Sequence, residues 1–260
     1  MKPNYHITPT LSAGQPHAVT GTILLFAVFP LLTLPLVISI GVLLLLVTIL
    51  GWFLHWDIAF PLGIFCLVCV LLTLLGMPSQ IWITLALVFY WVTCKTVKWL
   101  KDVLEWLKRG EFPGEVLLLT GFTIFASVAA LIIWFQATDP DISDIFGTYV
   151  PDWNTPTLLL GGVLFSLINA ALEEGAYRGV IMHALERAIG FGYSSLFIQA
   201  AAFGLLHIHG FPRGWIGVGL AFVFGLLMGI IRRRSGGMLG PWIAHTGVDL
   251  VIVCMVVFSM

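Results

Sequence analysis

Long runs of apolar residues constrain this 260-residue chain more than any other feature. The first run extends from Thr22 to Phe53, and it is longer than the roughly 20 residues that one membrane crossing needs. Only 10% of all residues are charged and 59% are apolar, whereas a soluble domain carries about 25% charged residues. The sequence therefore predicts an all-α protein, built as a polytopic bundle of transmembrane helices.

The first run is interrupted by Pro30 and Pro35, and proline breaks or kinks a helix. It therefore predicts either one long kinked helix or two shorter helices. The further apolar segments are Phe60–Gly76, Ile81–Trp99, Val116–Phe135, Thr157–Ile189, Tyr193–His209, Trp215–Ile231 and the stretch from Leu239 to the C-terminus.

Charged residues between these segments predict how the chain is oriented. Residues 95–114 combine lysine, arginine and tryptophan in a pattern that predicts a basic, amphipathic surface helix, and residues 137–156 form an acidic loop. Three arginines, at positions 232–234, follow a later segment. Because cytoplasmic loops carry an excess of lysine and arginine, residues 95–114 and 232–239 are predicted to be cytoplasmic. A net charge of −1 argues against a nucleic-acid partner.

Two adjacent carboxylates and an arginine interrupt the apolar segment Thr157–Ile189. Glu174 and Arg178 are four residues apart and would share one face of a helix, where they form a structural ion pair. Glu173 is rotated by about 100° from Glu174 and is therefore free for chemistry. Because an ionisable group in hydrocarbon costs at least ~2.5 kcal/mol, such groups are functional candidates by default.

Two later segments add His207 and the pair His245 and Asp249, which again are four residues apart. Glu173 and His207 each lie about 16 residues from the turn that joins their segments, so they are expected to meet at one depth. We predict that Glu173 acts as a general base on a water molecule that His207 orients or binds. His245 and Asp249 would then hold the oxyanion of a tetrahedral intermediate.

A metal site is the alternative interpretation of the same residues. His207, His245 and Glu173 could ligate zinc and leave one position open for water. These residues come from three separate segments rather than from one compact motif. The sequence therefore favours a site without a cofactor and keeps zinc as the alternative.

The polar residues form three short motifs in a fixed order: Glu173-Glu174-x-x-x-Arg178, Phe203-x-x-x-His207 and His245-x-x-x-Asp249. This ordered set resembles the signature motifs of the CAAX-protease and bacteriocin-processing family, also called CPBP or Abi intramembrane proteases. The resemblance implies about eight transmembrane helices around a cavity that opens toward the cytosol and the bilayer. It implies a protease core over residues 115–260, preceded over residues 1–114 by N-terminal helices and the basic segment.

By the family pattern, Glu173 and His207 would activate water, while His245 and Asp249 would stabilise the oxyanion. Asp249 departs from the prenyl-protein proteases, which have asparagine there, and is expected to orient His245 instead. The resemblance thus implies an endopeptidase, expected in a bacterial inner membrane, that cleaves a peptide or a lipidated protein. The alternatives are a non-catalytic scaffold or bacteriocin-immunity protein, and a proton-linked transporter.

Overall fold

The computed structural model describes residues 11–100, 102–147 and 150–259, and within these ranges it is helical without any strand. The predicted all-α fold is therefore confirmed. The helices are α1 Gln15–Val28, α2 Leu34–Phe53, α3 Ala59–Leu74, α4 Ser79–Thr96, α5 Gly114–Thr138, α6 Ile142–Phe146, α7 Thr155–Glu174, α8 Met182–Ile189, α9 Tyr193–Leu206, α10 Gly214–Ser235 and α11 Leu239–Ser259.

The structure contains two groups of apolar helices. Five helical stretches of the described chain are long and apolar enough to cross a membrane, and three further apolar helices are shorter. The long ones are Leu34–Phe53, Gly114–Thr138, Thr155–Ile189, Gly214–Ser235 and Leu239–Ser259. Many leucine, isoleucine and phenylalanine side chains on these helices are exposed, among them Leu118 and Phe125 on α5. This pattern suits a protein whose outer surface contacts lipid. Five helices are candidate spans, and the three shorter apolar helices make the expected number of about eight plausible without fixing it.

The first apolar run forms two helices, which is one of the two alternatives that the sequence predicted. A short 3₁₀ turn, Phe29–Leu31, follows α1 and contains Pro30. Thr33 then adopts an extended conformation, and Pro35 lies in the first turn of α2. Proline is tolerated in a first helical turn because its missing N–H has no helical partner there. The two prolines therefore separate two helices rather than kinking one.

The predicted amphipathic surface helix over residues 95–114 is wrong. After α4 ends at Thr96, the described residues 97–100 and 102–113 form turns and irregular chain, while Lys101 lies outside the described residues. The side chains of Leu100, Val103 and Trp106 are buried at intervals of three residues. Its backbone hydrogen bonds are isolated turns and bonds to the loop between α10 and α11, and they do not form a helical ladder.

This strap, residues 97–113, is joined to residues 235–239 by three backbone hydrogen bonds. Glu111 N–H donates to the Ser235 carbonyl, and the Met238 and Leu239 N–H groups donate to the carbonyls of Lys108 and Arg109. The two segments that were predicted to be cytoplasmic therefore lie on the same side of the helix bundle.

The helical run from α7 to α8 has packed neighbours from both halves of the chain. A π-helical segment, Gly175–Ile181, joins α7 to α8 without a break, and it contacts α4, α9 and α10. Helix α11 packs along α7, and α10 packs along α9. The strap reaches this run through Trp106, because a Cβ atom on Gly179 would lie 2.5 Å from the Trp106 ring. Glycine at position 179 thus allows the strap to pack against the π-helical segment.

Candidate active site

The acidic pair lies where the central helix changes from α- to π-helical geometry. Glu174 is the last residue of α7, and the π-helical segment that follows contains Arg178. Such wider turns are rare, and they often occur at functional sites. The sequence pattern gave no sign of this change, since apolar periodicity does not distinguish one wide turn within a long helix.

Arg178 is fully buried and connects three helices. Its Nη1 donates a hydrogen bond of 2.9 Å to Glu174 Oε1, and its Nη2 donates one of 3.4 Å to the Gly225 carbonyl of α10. The guanidinium carbon lies 4.6 Å from the centroid of the Phe203 ring on α9. A buried arginine with these three kinds of contact holds α9 and α10 against the central helical run.

His245 projects from α11 into a group of three carboxylates. Its Nδ1 lies 2.7 Å from Glu174 Oε1, and its Nε2 lies 3.6 Å from both Glu173 Oε2 and Asp249 Oδ1. Because an ionised carboxylate only accepts hydrogen bonds, the imidazole donates to Glu174 through Nδ1. This leaves Nε2 directed at the space between Glu173 and Asp249.

The contact between Glu174 and His245 changes the role that the sequence predicted for Glu174. The sequence predicted that Glu174 would pair with Arg178 alone, but Oε1 of Glu174 contacts both Arg178 and His245. Glu174 therefore links the buried arginine to the histidine. Glu173 is the most accessible of the three carboxylates, with 14% of its side chain exposed against 1% for Glu174 and 10% for Asp249.

Asn169 is a member of this cluster that the sequence reasoning missed. It lies four residues before Glu173 on α7, and its Nδ2 donates a 3.1 Å hydrogen bond to Asp249 Oδ2. The signal was an uncharged polar residue within an apolar helix, one turn before an acidic pair. In an apolar segment an uncharged polar residue is a weaker signal of a functional site than a charged one, although it too needs a buried hydrogen-bond partner.

His207 follows the last residue of α9 and is not inside the helix as the sequence predicted. Its Nδ1 lies 3.0 Å from the Phe203 carbonyl, and its ring centroid lies 4.7 Å from that of Phe203. The same Phe203 ring is 6.1 Å from the His245 ring, so it lies between the two histidines. Within the described part of the chain, no hydrogen bond or ion pair joins His207 to Glu173.

The alternative zinc ligands do not assemble into a ligand set. Among residues 11–100, 102–147 and 150–259, no group of three or more histidine, cysteine, aspartate or glutamate side chains is arranged to hold a metal ion. Both ring nitrogens of His245 face carboxylate groups, and Nδ1 of His207 faces a backbone carbonyl.

An apolar groove between α4 and α7 reaches the edge of the cluster. Its volume is about 350 Å³, and its lining residues are Gln80, Ile81, Thr84, Leu85, Phe165, Ile168, Asn169 and Leu172. Asn169 belongs both to this lining and to the polar cluster. The groove therefore extends from the carboxylate cluster toward the apolar outer faces of α4 and α7.

Part of the chain matches a known protein family. Residues 155–251 match the family model described as type II CAAX prenyl endopeptidase Rce1-like. This match contains all three motifs, and it confirms the resemblance to the CAAX-protease family. Comparison with the curated proteins and with the solved structures gave no match.

Proposed function

Since residues 155–251 are Rce1-like, we propose that this integral membrane protein is an intramembrane endopeptidase of the CAAX type. It hydrolyses a peptide bond in a membrane-associated peptide or protein. One observation carries the proposal: Glu173 Oε2 and Asp249 Oδ1 both lie 3.6 Å from Nε2 of His245 in a largely buried cluster. Two acids around one imidazole supply both a proton acceptor and a proton donor at one place.

Glu173 is the general base in this proposal. Its carboxyl group is more exposed than those of Glu174 and Asp249, and its nearest nitrogen contact, at 3.6 Å, leaves its oxygens available to a water molecule. Glu173 removes one proton from this water as the water oxygen bonds to the carbonyl carbon of the substrate. The proton then passes to the leaving nitrogen, the C–N bond breaks, and the products are a carboxylic acid and an amine.

His245 stabilises the charge that develops on the carbonyl oxygen. As an imidazolium beside three carboxylates, its ring donates through Nδ1 to Glu174 and presents Nε2–H beside Asp249. A donor fixed in this way stabilises an oxyanion without reorganising during the reaction. His207 orients the water instead, because its Nδ1–H donates to the Phe203 carbonyl and its Nε2 is left to accept a hydrogen bond from the water.

The experiment that tests this proposal compares two neighbouring histidines. The reporter is an internally quenched peptide that spans a cleavage site mapped by comparing protein termini in cells. We expect His207→Ala to lower kcat for this reporter by about 10²-fold, as expected for loss of a group that orients the attacking water. His209→Ala is the matched control, because His209 is an exposed residue whose ring contacts the Pro30 carbonyl. Equal activity of the two variants would contradict the role of His207.

A second prediction concerns metal ions. Because the proposed mechanism uses only side chains, dialysis against EDTA and 1,10-phenanthroline should leave the rate of reporter cleavage within about twofold of the untreated rate. The measurement is made on purified protein in nanodiscs, with elemental analysis of the same sample. Loss of activity with the chelators, restored by stoichiometric zinc, would favour the zinc alternative.

A further inference from the structure

We propose that Asn169 is a positioning residue that sets the orientation of Asp249 in the active site. The inference rests on the proposed endopeptidase function and extends it to a residue outside the three motifs. Its basis is the hydrogen bond between Asn169 Nδ2 and Asp249 Oδ2, which joins α7 to α11 at the level of the cluster.

Asn169 holds one of the two acids that face His245. Its Nδ2 donates a 3.1 Å hydrogen bond to Asp249 Oδ2, and Glu173, the other acid, lies one helical turn later on α7. The Asn169 amide and the His245 ring therefore contact different oxygens of Asp249.

The bond to Asn169 determines which oxygen of Asp249 faces the histidine. Oδ2 accepts from the amide, while Oδ1 lies 3.6 Å from His245 Nε2. Without the amide, Oδ2 loses this donor, and the carboxyl group rotates about its terminal torsion, which is broad and roughly twofold. His245 then loses its orienting partner, although its contact with Glu174 remains.

The position of Asn169 in the helix suits this role. From Asn169 to Glu173 the chain is regular α-helix, and the π-helical geometry begins only after Glu174. Residues four apart lie on the same face in such a turn, so the amide and the Glu173 carboxyl group are neighbours. An uncharged donor is suited to this place, because another charged carboxylate beside Glu173, Glu174 and Asp249 would add like-charge repulsion.

The first test measures turnover in variants of Asn169. Asn169→Ala removes the donor, and Asn169→Asp replaces it by an acceptor of the same shape. We expect both variants to lower kcat for the reporter peptide by about 10²-fold while KM stays within about twofold, because small misplacements of catalytic groups act on the chemical step. Gln80→Ala is the matched control, since Gln80 lines the same groove but hydrogen-bonds to Ser79. Rates are expressed per folded molecule, and wild-type kcat in both Asn169 variants would overturn the inference.

A double-mutant cycle distinguishes positioning from a general effect on folding. If Asn169 acts through Asp249, the double variant Asn169→Ala/Asp249→Ala should be no slower than Asp249→Ala alone, because coupled residues are not additive. A double variant whose loss of kcat equals the product of the losses in the two single variants would contradict the inference. The Glu173→Gln variant distinguishes failure of this inference from failure of the proposed function. If Glu173→Gln is active, the endopeptidase mechanism is wrong. If Glu173→Gln is inactive while the Asn169 variants have wild-type kcat, only the positioning role of Asn169 is wrong.

Discussion

Replacing Glu173 by glutamine is expected to lower kcat for the reporter peptide by about 10³-fold or more. The change keeps the size and shape of the side chain and removes its capacity to accept a proton, and general bases contribute about 10²–10⁴-fold to rate. Loss of the carboxylate also removes one of the two acids that face Nε2 of His245. The measurement is reporter cleavage by purified protein in nanodiscs, with the folded fraction measured in parallel.

A matched control for this variant is Glu115→Gln. Glu115 lies in the first turn of α5, where it is exposed and pairs with the exposed Arg234 at 3.6 Å. Its substitution makes the same chemical change far from the cluster and should leave the rate within about twofold of wild type, because exposed ion pairs contribute little. If Glu173→Gln retained the rate of Glu115→Gln, the general-base role would be wrong.

The second large effect is on stability and concerns Arg178. Arg178→Met should lower the free energy of unfolding by about 3–5 kcal/mol, because removal of one partner leaves the other charge buried without compensation. Glu174 is almost completely buried beside it, and the contacts of the guanidinium with Gly225 and Phe203 are lost at the same time. Unfolding of the purified protein in detergent, followed by tryptophan fluorescence, measures the change.

Removing both charges should restore most of that stability. In Arg178→Met/Glu174→Leu no charge of the pair remains buried, and apolar replacements of buried ion pairs are often neutral or stabilising. Activity should stay low in the double variant, because Glu174 also holds Nδ1 of His245. A single variant as stable as the wild type, or a double variant less stable than the single one, would contradict this account of Arg178.

Much of the fold follows from the sequence, because apolar runs and helix-breaking residues are local features. Gly190 ends the central helical run with a positive φ angle, and Gly236 does the same for α10. Such left-handed positions cost glycine little. The strap was predicted incorrectly because its apolar residues fit a helical pattern, whereas its backbone forms isolated turns and hydrogen bonds to residues 235–239. Contacts with a distant segment are not visible in a local pattern.

Contacts between site residues on the same helical run could also be predicted from the sequence. The spacing of Glu174 and Arg178 predicted their contact, and the structure gives a distance of 2.9 Å. The contact between Glu174 and His245 could not be anticipated, because it depends on the rotation of α11 relative to α7 about their axes. The same holds for Asn169 and Asp249, which are 80 residues apart in the chain. Sequence periodicity fixes the face of a helix but not the partner that this face meets.

The orientation of the protein in the membrane remains a proposal. The strap and residues 235–239 lie together. The strap contains lysine and arginine, and three arginines at positions 232–234 directly precede residues 235–239, a pattern that favours the cytoplasmic side. On this basis we propose that the strap side is cytoplasmic. A location in a bacterial inner membrane stays a prediction from the family resemblance.

The most direct test of the central claim compares protein termini in membranes from native cells that produce either the wild-type protein or Glu173→Gln at equal levels. Mass spectrometry of N- and C-terminal peptides identifies the bonds that depend on Glu173. We predict a set of new termini in membrane-associated proteins with the wild type, absent with Glu173→Gln and present with Glu115→Gln. Identical termini with all three proteins would contradict the assignment of these helices to a peptide-cleaving site.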